Sequence, residues 1–279
     1  MYVKKPEVSL IISFYNDIYW LKLILAGLER QSFTNFEVII ADDGSRPEIV
    51  REIEAVSASA NFPVTEIWHE DVGWRKNIIL NKAIIASSGD YLIFIDGDCI
   101  PHRHFIREHY LNRQKKTILA GRRVNLSSRV SAKLTPALVR KGKLEKGLLF
   151  SLFLHKMLFK DGSHAENGVY LGNTWLKKKL NNKKKKGILG SNFSMYKEDM
   201  IALNGFDERY VLPAVGEDTD VNHRAIFAGY EIRTLKHLAI QYHKYHEKLE
   251  RSSKNTEILE MNIAERKGYT KYGIRKEDL

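Results

Sequence analysis

The sequence predicts an α/β fold with a mixed, mainly parallel central sheet flanked by helices. Short apolar runs alternate with helix-period segments over the first ~120 residues, which argues for βαβ units. Hydrophobic residues make up 43% of 279, enough for a real core without staples. Acidic or turn-forming clusters follow three of the apolar runs, and the carboxyl ends of strands are where open α/β sheets place their ligands.

Val8 to Phe14 reads as a buried strand. Asn16 or Asp17 caps a helix in which Leu21, Ile24, Leu25 and Leu28 recur at helical spacing, ending near Gln31. Phe36 to Ala41 is the second strand. Asp42-Asp43-Gly44-Ser45 breaks it, and Ser45 with Pro47 starts the next helix. Val64 to Trp68 forms a third strand, Arg75 to Ala86 a helix, and Tyr91 to Ile95 a fourth strand running into Asp96-Gly97-Asp98.

Between Ser127 and Lys186 the pattern changes to an apolar segment from Leu148 to Phe159 with lysine margins, then a lysine run from Lys177 to Lys186. This stretch reads as an insertion, helical in part and basic, because order resumes at Gly187. A glycine-flanked strand, Gly190 to Ser194, leads to a short helix stopped by Asn204-Gly205. Glu217 to Phe227 is helical with Gly229 just past its end, Glu231 to Tyr242 supplies one or two closing strands, and the charged tail after Glu247 is a surface helix.

The formal net charge of +11 favours contact with something anionic: phosphates, nucleic acid or a membrane surface. No apolar stretch approaches the ~20 residues needed to cross a bilayer, so any membrane contact would be peripheral. The single cysteine, Cys99, cannot pair internally, which fits a reducing compartment and offers no cysteine-based metal site. No secretory address precedes the first strand, so the cytoplasm is the expected location.

Asp96 and Asp98, one residue apart in an extended segment, project to the same side and can reach one divalent cation, or a cation and a ribose. Gly97 between them leaves space for close approach. Alone, Asp-Gly-Asp is also an ordinary strand-ending turn, and Asp42-Asp43-Gly44-Ser45 is equally suited to a tight turn. Their shared position after buried strands of one sheet raises both. Glu217 and Asp218 open a helix whose dipole favours their ionised forms; they serve either as capping acids or as a base that takes a proton from an attacking hydroxyl. His243 and His246 follow the last strand, where a neutral imidazole can complete a metal site with Asp98; His102 and His104 are rivals for that role.

These residues resemble the inverting family 2 glycosyltransferases with the GT-A (Rossmann-like) fold. Val8 to Asn16 is similar to the family's opening strand, Gln31 to Ser45 to its second strand and acidic turn, and Asp96-Gly97-Asp98 to its DxD motif. Glu70 to Arg75, with Asn81 and Ala83, looks most like bacterial chondroitin-polymerase domains and related galactosyl- and N-acetylgalactosaminyltransferases. Ser191 to Ser194, Asn204 to Asp207 and Gly216 to Asp220 resemble their acceptor-side segment. The likeness spans about residues 7–125 and 187–246; the stretch 127–186 departs from it.

By that resemblance, residues 1–126 form a nucleotide-sugar-binding half, 127–186 an insertion, 187–246 an acceptor-binding half with the catalytic base, and 247–279 a charged tail. Asp42 or Asp43 would hold uracil, Asp96 the ribose, and Asp98 with His243, alongside Asp96, a Mn²⁺ or Mg²⁺ ion. Ser13, Tyr15, Asn16, Arg75, Asn81 and Gly97 complete the donor site, Asp218 is the base and Glu217 binds the acceptor sugar. The implied reaction moves a hexose or N-acetylhexosamine from a UDP-sugar to a glycan or glycolipid acceptor in surface polysaccharide synthesis, lipopolysaccharide or capsule. The insertion then reads either as a membrane-interface element or as a core helix with a solvated lysine loop. Two other classes compete. A sugar nucleotidyltransferase would need a glycine-rich phosphate loop after the first strand, and Ser13 to Asp17 has no glycine. A nucleic-acid binder fits the charge, but the acidic strand ends would repel a phosphate backbone.

Overall fold

The computed structural model describes residues 5–145, 164–172, 187–213, 216–247 and 253–276. A seven-stranded sheet in the order β3-β2-β1-β4-β8-β6-β9 forms the centre. Its first half is parallel: β1 (Val8–Phe14) lies between β2 (Phe36–Asp42) and β4 (Tyr91–Asp96), and β3 (Val64–Trp68) forms the edge beyond β2. Right-handed crossovers are the normal way to join such strands. Here the connecting helices are α1 (Ile18–Leu28), α2 (Pro47–Ala58) and α3 (Lys76–Ala86).

Both faces of β1 are covered, which is why its apolar run is nearly continuous. Val8, Leu10, Ile12 and Phe14 join the core that contains α1 and α2, whereas Ile11 points to the opposite core with Ile79, Leu80 and Ala83 of α3. Asp17 caps α1 by accepting a hydrogen bond from the Trp20 N–H. The helix ends at Leu28, one turn before Gln31, whose side chain instead donates to the carbonyl oxygens of Gly27 and His102.

The sheet's second half mixes directions. Antiparallel β8 (Phe193–Tyr196) pairs with β4 and with β6 (Thr117–Ala120), and β6 pairs in parallel with β9 (Glu231–Thr234). A small sheet stands beside it, with β10 (Ile240–His243) between β5 (Cys99–Pro101) and β7 (Arg122–Asn125). Helix α4 (Phe105–Leu111) follows β5, and α7 (Lys197–Ala202) follows β8. Helix α8 (Glu217–Phe227) packs Val221 and Ala225 into the α3-side core.

Several boundaries correct the reading from sequence. Gly190 and Ser191 form a turn closed by the Asn192 N–H on the Leu189 carbonyl, and the strand begins only at Phe193, while the Asn192 side chain donates to the Arg122 and Ala239 carbonyls. Ser45 does not cap α2. Arg46 occupies the cap position without a side-chain bond, and Pro47 opens the helix. Asn204 and Gly205 do stop α7, with φ of 64° and 72°.

The described part of the stretch after Ser127 packs closely on the fold. Helices α5 (Ser128–Lys133) and α6 (Pro136–Arg140) are capped by Ser127 and Thr135, and Leu134, Val139 and Leu144 enter the α1-side core. Arg30 pairs with Glu145 and Arg140 with Glu29. The apolar segment 148–159 and the lysine run 177–186 lie outside the described residues, and with them both readings of the insertion. Among the described residues no helix is long and apolar enough to cross a membrane.

The tail is more than a surface helix. Asn262 of α9 (Ser253–Glu265) donates to Asp220 of α8 at 2.8 Å. The Thr270 hydroxyl donates to Asp207, and Asn204 donates back to the Thr270 carbonyl. These bonds tie residues 253–276 to the helix that carries Glu217 and Asp218.

Candidate active site

Strands β1, β2 and β4 end side by side, since Phe14 pairs with Asp42 and Ser13 with Asp96. Their last residues and following turns floor a cleft of about 900 Å³. The facing wall comes from β7, β10 and the first turn of α8, through Arg123, His243, Lys244, His246 and Glu217.

At one end stand Asp43, Tyr15 and Asp71. The Asp43 carboxylate contacts His69 Nε2 at 2.8 Å and accepts the backbone N–H of Arg75 at 3.0 Å. Burial raises the Asp43 carboxyl above its ordinary range against the lowering effect of those two partners. Tyr15, half exposed, donates its hydroxyl to Asp71, which also accepts the Gly73 N–H and is held low by that bond first. Gly44 is required here. Its φ is +94°, and a Cβ would fall 2.6 Å from the Asp71 backbone.

In the middle, Asp96 accepts from the Ser13 hydroxyl at 2.9 Å and from Lys76 Nζ at 2.8 Å. The same ammonium reaches Glu217 at 3.3 Å, joining the β4 end to α8 across the cleft. Burial works against the Lys76 charge, but the two carboxylates overcome it and hold the ammonium well above its ordinary pKa.

At the far end, antiparallel pairing sets Cys99 opposite His243. Asp98 Oδ2 lies 3.1 Å from His243 Nε2 and 3.4 Å from His246 Nε2, and the two Nε2 atoms are 3.2 Å apart. Burial opposes the Asp98 charge, yet contacts with His243 and then His246 hold its carboxyl well below the usual range. One hard oxygen and two borderline nitrogens converging on a point form a donor set suited to a first-row divalent cation. The sequence reading left His243 and His246 as alternatives; both reach Asp98. Cys99, set aside as a ligand, stands within the same cluster. Burial pushes its thiol up, and it donates to Asp98 Oδ1 at 3.1 Å, which orients the carboxylate.

Of the residues singled out in the sequence, Ser13, Tyr15, Asp43, Asp96, Gly97, Asp98, Glu217, His243 and His246 line this cleft. Asn16, Asp42, Arg75, Asn81, Asp218 and the rivals His102 and His104 do not. Asn16 is a loop tie, donating its N–H to Ser45 and accepting from the Arg46 N–H. Arg75 bonds Asp43 through its backbone, while its guanidinium turns back to the Trp74 carbonyl. Asp218, the residue after Glu217, accepts from the Gly190 N–H at 2.8 Å and from Thr219, and is not among the residues that line the cleft. Gly97 does line the cleft, but its Cβ would come 2.8 Å from the Ser13 carbonyl, so the close approach it allows is to β1.

Asp42 is wholly buried and accepts from the Ser45 N–H and hydroxyl. Its Oδ2 and Glu66 Oε1 are buried without a well-formed hydrogen bond. Burial, followed by the neighbouring Asp42, pushes Glu66 up to about 8 from 4.5. Between those values the folded chain keeps a proton that the unfolded chain has released, so stability should fall as pH rises from 4.5 to about 8 and stay insensitive to Glu66 below that window. Melting temperature against pH checks this; Glu66→Gln should flatten the slope.

Asn81 is the clearest correction. It is buried on α3, donating to the Phe206 carbonyl at 2.9 Å and accepting the Phe206 N–H at 2.8 Å. It staples α3 to the loop before α8 and does not face the cleft. Asn81→Ala should cost ~1–3 kcal/mol for each buried backbone group left unpaired, read by chemical denaturation. Nucleotide affinity should be unchanged at temperatures where the variant is folded. The histidine rivals are also placed elsewhere: His102 stacks on Tyr170, His104 meets the same ring tilted, and His104 bonds Ser32.

Lys76, Asp71, Lys244 and Arg123 line the cleft and were not picked out from sequence. Lys76 follows Arg75 directly, and nothing in a two-cation step reveals which one faces inward. Only the phase of α3 against the sheet decides it.

Fold and cleft define an α/β protein whose carboxylates, imidazoles and one shared ammonium meet at the carboxyl ends of parallel strands. The chain belongs to glycosyl transferase family 2, whose model matches residues 9–165. A second model, described as the N-terminal domain of galactosyltransferase, matches residues 176–247. The amylovoran biosynthesis glycosyltransferase AmsB of Erwinia amylovora is 24% identical over 247 residues, covering 86% of this chain and 71% of that protein. Chondroitin synthase of Escherichia coli is 28% identical over 106 residues, 37% of this chain and 15% of that one. In fold, the chain resembles residues 1–349 of Staphylococcus aureus TarS in complex with UDP, with a TM-score of 0.56, 18% identity, and coverage of 93% of this chain and 65% of that one. The fold is therefore GT-A. Several curated relatives are matched over only 33%, 27% and 29% of their own length.

Proposed function

We propose that the protein is an inverting glycosyltransferase. It moves a hexose or N-acetylhexosamine from a UDP-sugar to a hydroxyl of a glycan or glycolipid acceptor, in the assembly of a surface polysaccharide such as lipopolysaccharide or capsule. The observation that carries this reading is the bridge from Asp96 through Lys76 to Glu217, which brings the DxD strand and the acidic start of α8 into one cleft. The polysaccharide context is supported by AmsB, and the uridine nucleotide by the TarS complex.

In this reading Asp43 accepts the imide N–H of uracil, Tyr15 offers its exposed ring to the base, and Asp96 takes a ribose hydroxyl. Asp98, His243 and His246 would hold Mn²⁺ or Mg²⁺, with Asp96 alongside, and the ion would neutralise charge on the diphosphate. Asp218 removes the proton of the acceptor hydroxyl as its oxygen bonds to the anomeric carbon. The bond from that carbon to the diphosphate oxygen breaks on the opposite face, leaving its electron pair on the departing UDP. Glu217, oriented by Lys76, holds the acceptor sugar.

Burial first, and the Glu217 charge second, raise the Asp218 carboxyl above its ordinary value, the direction that favours a general base. The test is UDP release on mixing the protein with common UDP-sugars, an acceptor glycan and Mn²⁺. Release or transfer that EDTA abolishes supports the reading; none with any common donor overturns it.

A further inference from the structure

We infer that Arg123 binds the diphosphate of the donor at the imidazole end of the cleft, an assignment that rests on the nucleotide-sugar reading above. Among the described residues, three side-chain cations line the cleft: Lys76, Lys244 and Arg123. Lys76 is committed to Asp96 and Glu217. Lys244 is committed to Asp17, with Nζ 2.5 Å from Oδ2. Arg123 has no carboxylate partner among the described residues, although it sits half-buried in a cleft rich in carboxylates.

Its placement follows from the small sheet. Parallel pairing of β7 with β10 sets Arg123 beside Gln241 and Asn125 beside His243. Residues two apart on a strand share a face, so Arg123 and His243 belong to the same face, next to the Asp98 cluster. Charge balance indicates what this cation meets. Asp98 supplies the carboxylate charge of the imidazole cluster, and that of Asp96 alongside is already met by the Lys76 ammonium at 2.8 Å, so a divalent cation there would keep about one net positive charge, whereas the diphosphate of a nucleotide-sugar carries about two negative ones. A guanidinium with no carboxylate partner among the described residues, and with a planar fork of donors, closes that difference and matches phosphate oxygens in shape. Arg122, its neighbour, is spent on the carbonyls of Gly121 and Gly187.

The experiment is calorimetric titration of the wild type, Arg123→Ala and Arg123→Lys with UDP and with uridine, both in Mn²⁺. Arg123→Ala should lose UDP affinity by roughly tenfold or more, the usual scale for a charge-assisted contact. Uridine, which has no phosphate, should bind within about twofold of wild type, and Arg123→Lys should fall between. Should Arg123→Ala unfold, Arg123→Gln keeps the side-chain stem and reads the same way. Unchanged UDP affinity beside normal wild-type binding overturns the assignment, and a raised acceptor KM with it would give Arg123 to an acidic acceptor. A wild type that binds neither UDP nor uridine sinks the nucleotide-sugar reading, and this inference with it.

Discussion

Asp218→Asn is expected to lower transfer by roughly two or more orders of magnitude, the usual scale for losing a general base, while UDP affinity stays near that of the wild type. Asparagine keeps one acceptor oxygen, enough for the Gly190 N–H that Asp218 now accepts at 2.8 Å but not also for the Thr219 N–H accepted by the other carboxylate oxygen, so a melting curve of the variant is measured beside its rate. The wild-type rate should also fall as pH drops through the raised Asp218 pKa, because protonation removes the base. That acid limb should lie above the ordinary value and vanish in Asp218→Asn. Glu217→Gln should act mainly on acceptor KM. The reverse pattern, with Glu217→Gln losing turnover and Asp218→Asn retaining it, would move the base one residue toward Lys76.

Asp98→Ala should weaken Mn²⁺ binding by at least about a hundredfold, since even outer partners of a metal site are worth 10–100-fold. His243→Ala and His246→Ala separate the two imidazoles. Each Nε2 lies within 3.4 Å of Asp98 Oδ2, so comparable losses in both variants are expected if both ligate. Titration of Mn²⁺ by calorimetry, with EPR of the bound ion, reads affinity without depending on turnover. Undiminished Mn²⁺ binding in Asp98→Ala would remove this cluster from the metal site altogether.

Much of the donor half was legible in the sequence because its determinants are local. β1, the helix after Asp17 and the acidic ends of β2 and β4 are each written within a few residues by apolar runs, a capping carboxylate and turn formers. Strand and sheet order then place Asp43, Asp96 and Asp98 on one edge with little freedom. The acceptor half was legible as motifs but not as contacts. Asn81 carried the right residue type for a ligand contact, yet whether it meets the cleft or Phe206 depends on how α3 is rotated against a loop 125 residues away.

The sequence by itself determined the α/β class, the succession of elements through the donor half, and the acidic and imidazole residues available for chemistry, since propensity, period and turn chemistry act over a few positions. Only the tertiary structure decided that Asp43 and not Asp42 faces the cleft, that both His243 and His246 meet Asp98, and that Lys76 spans Asp96 and Glu217. Those outcomes turn on contacts between segments far apart in the chain, where a one-residue change of strand register or a partial turn of a helix sends a side chain to the opposite face.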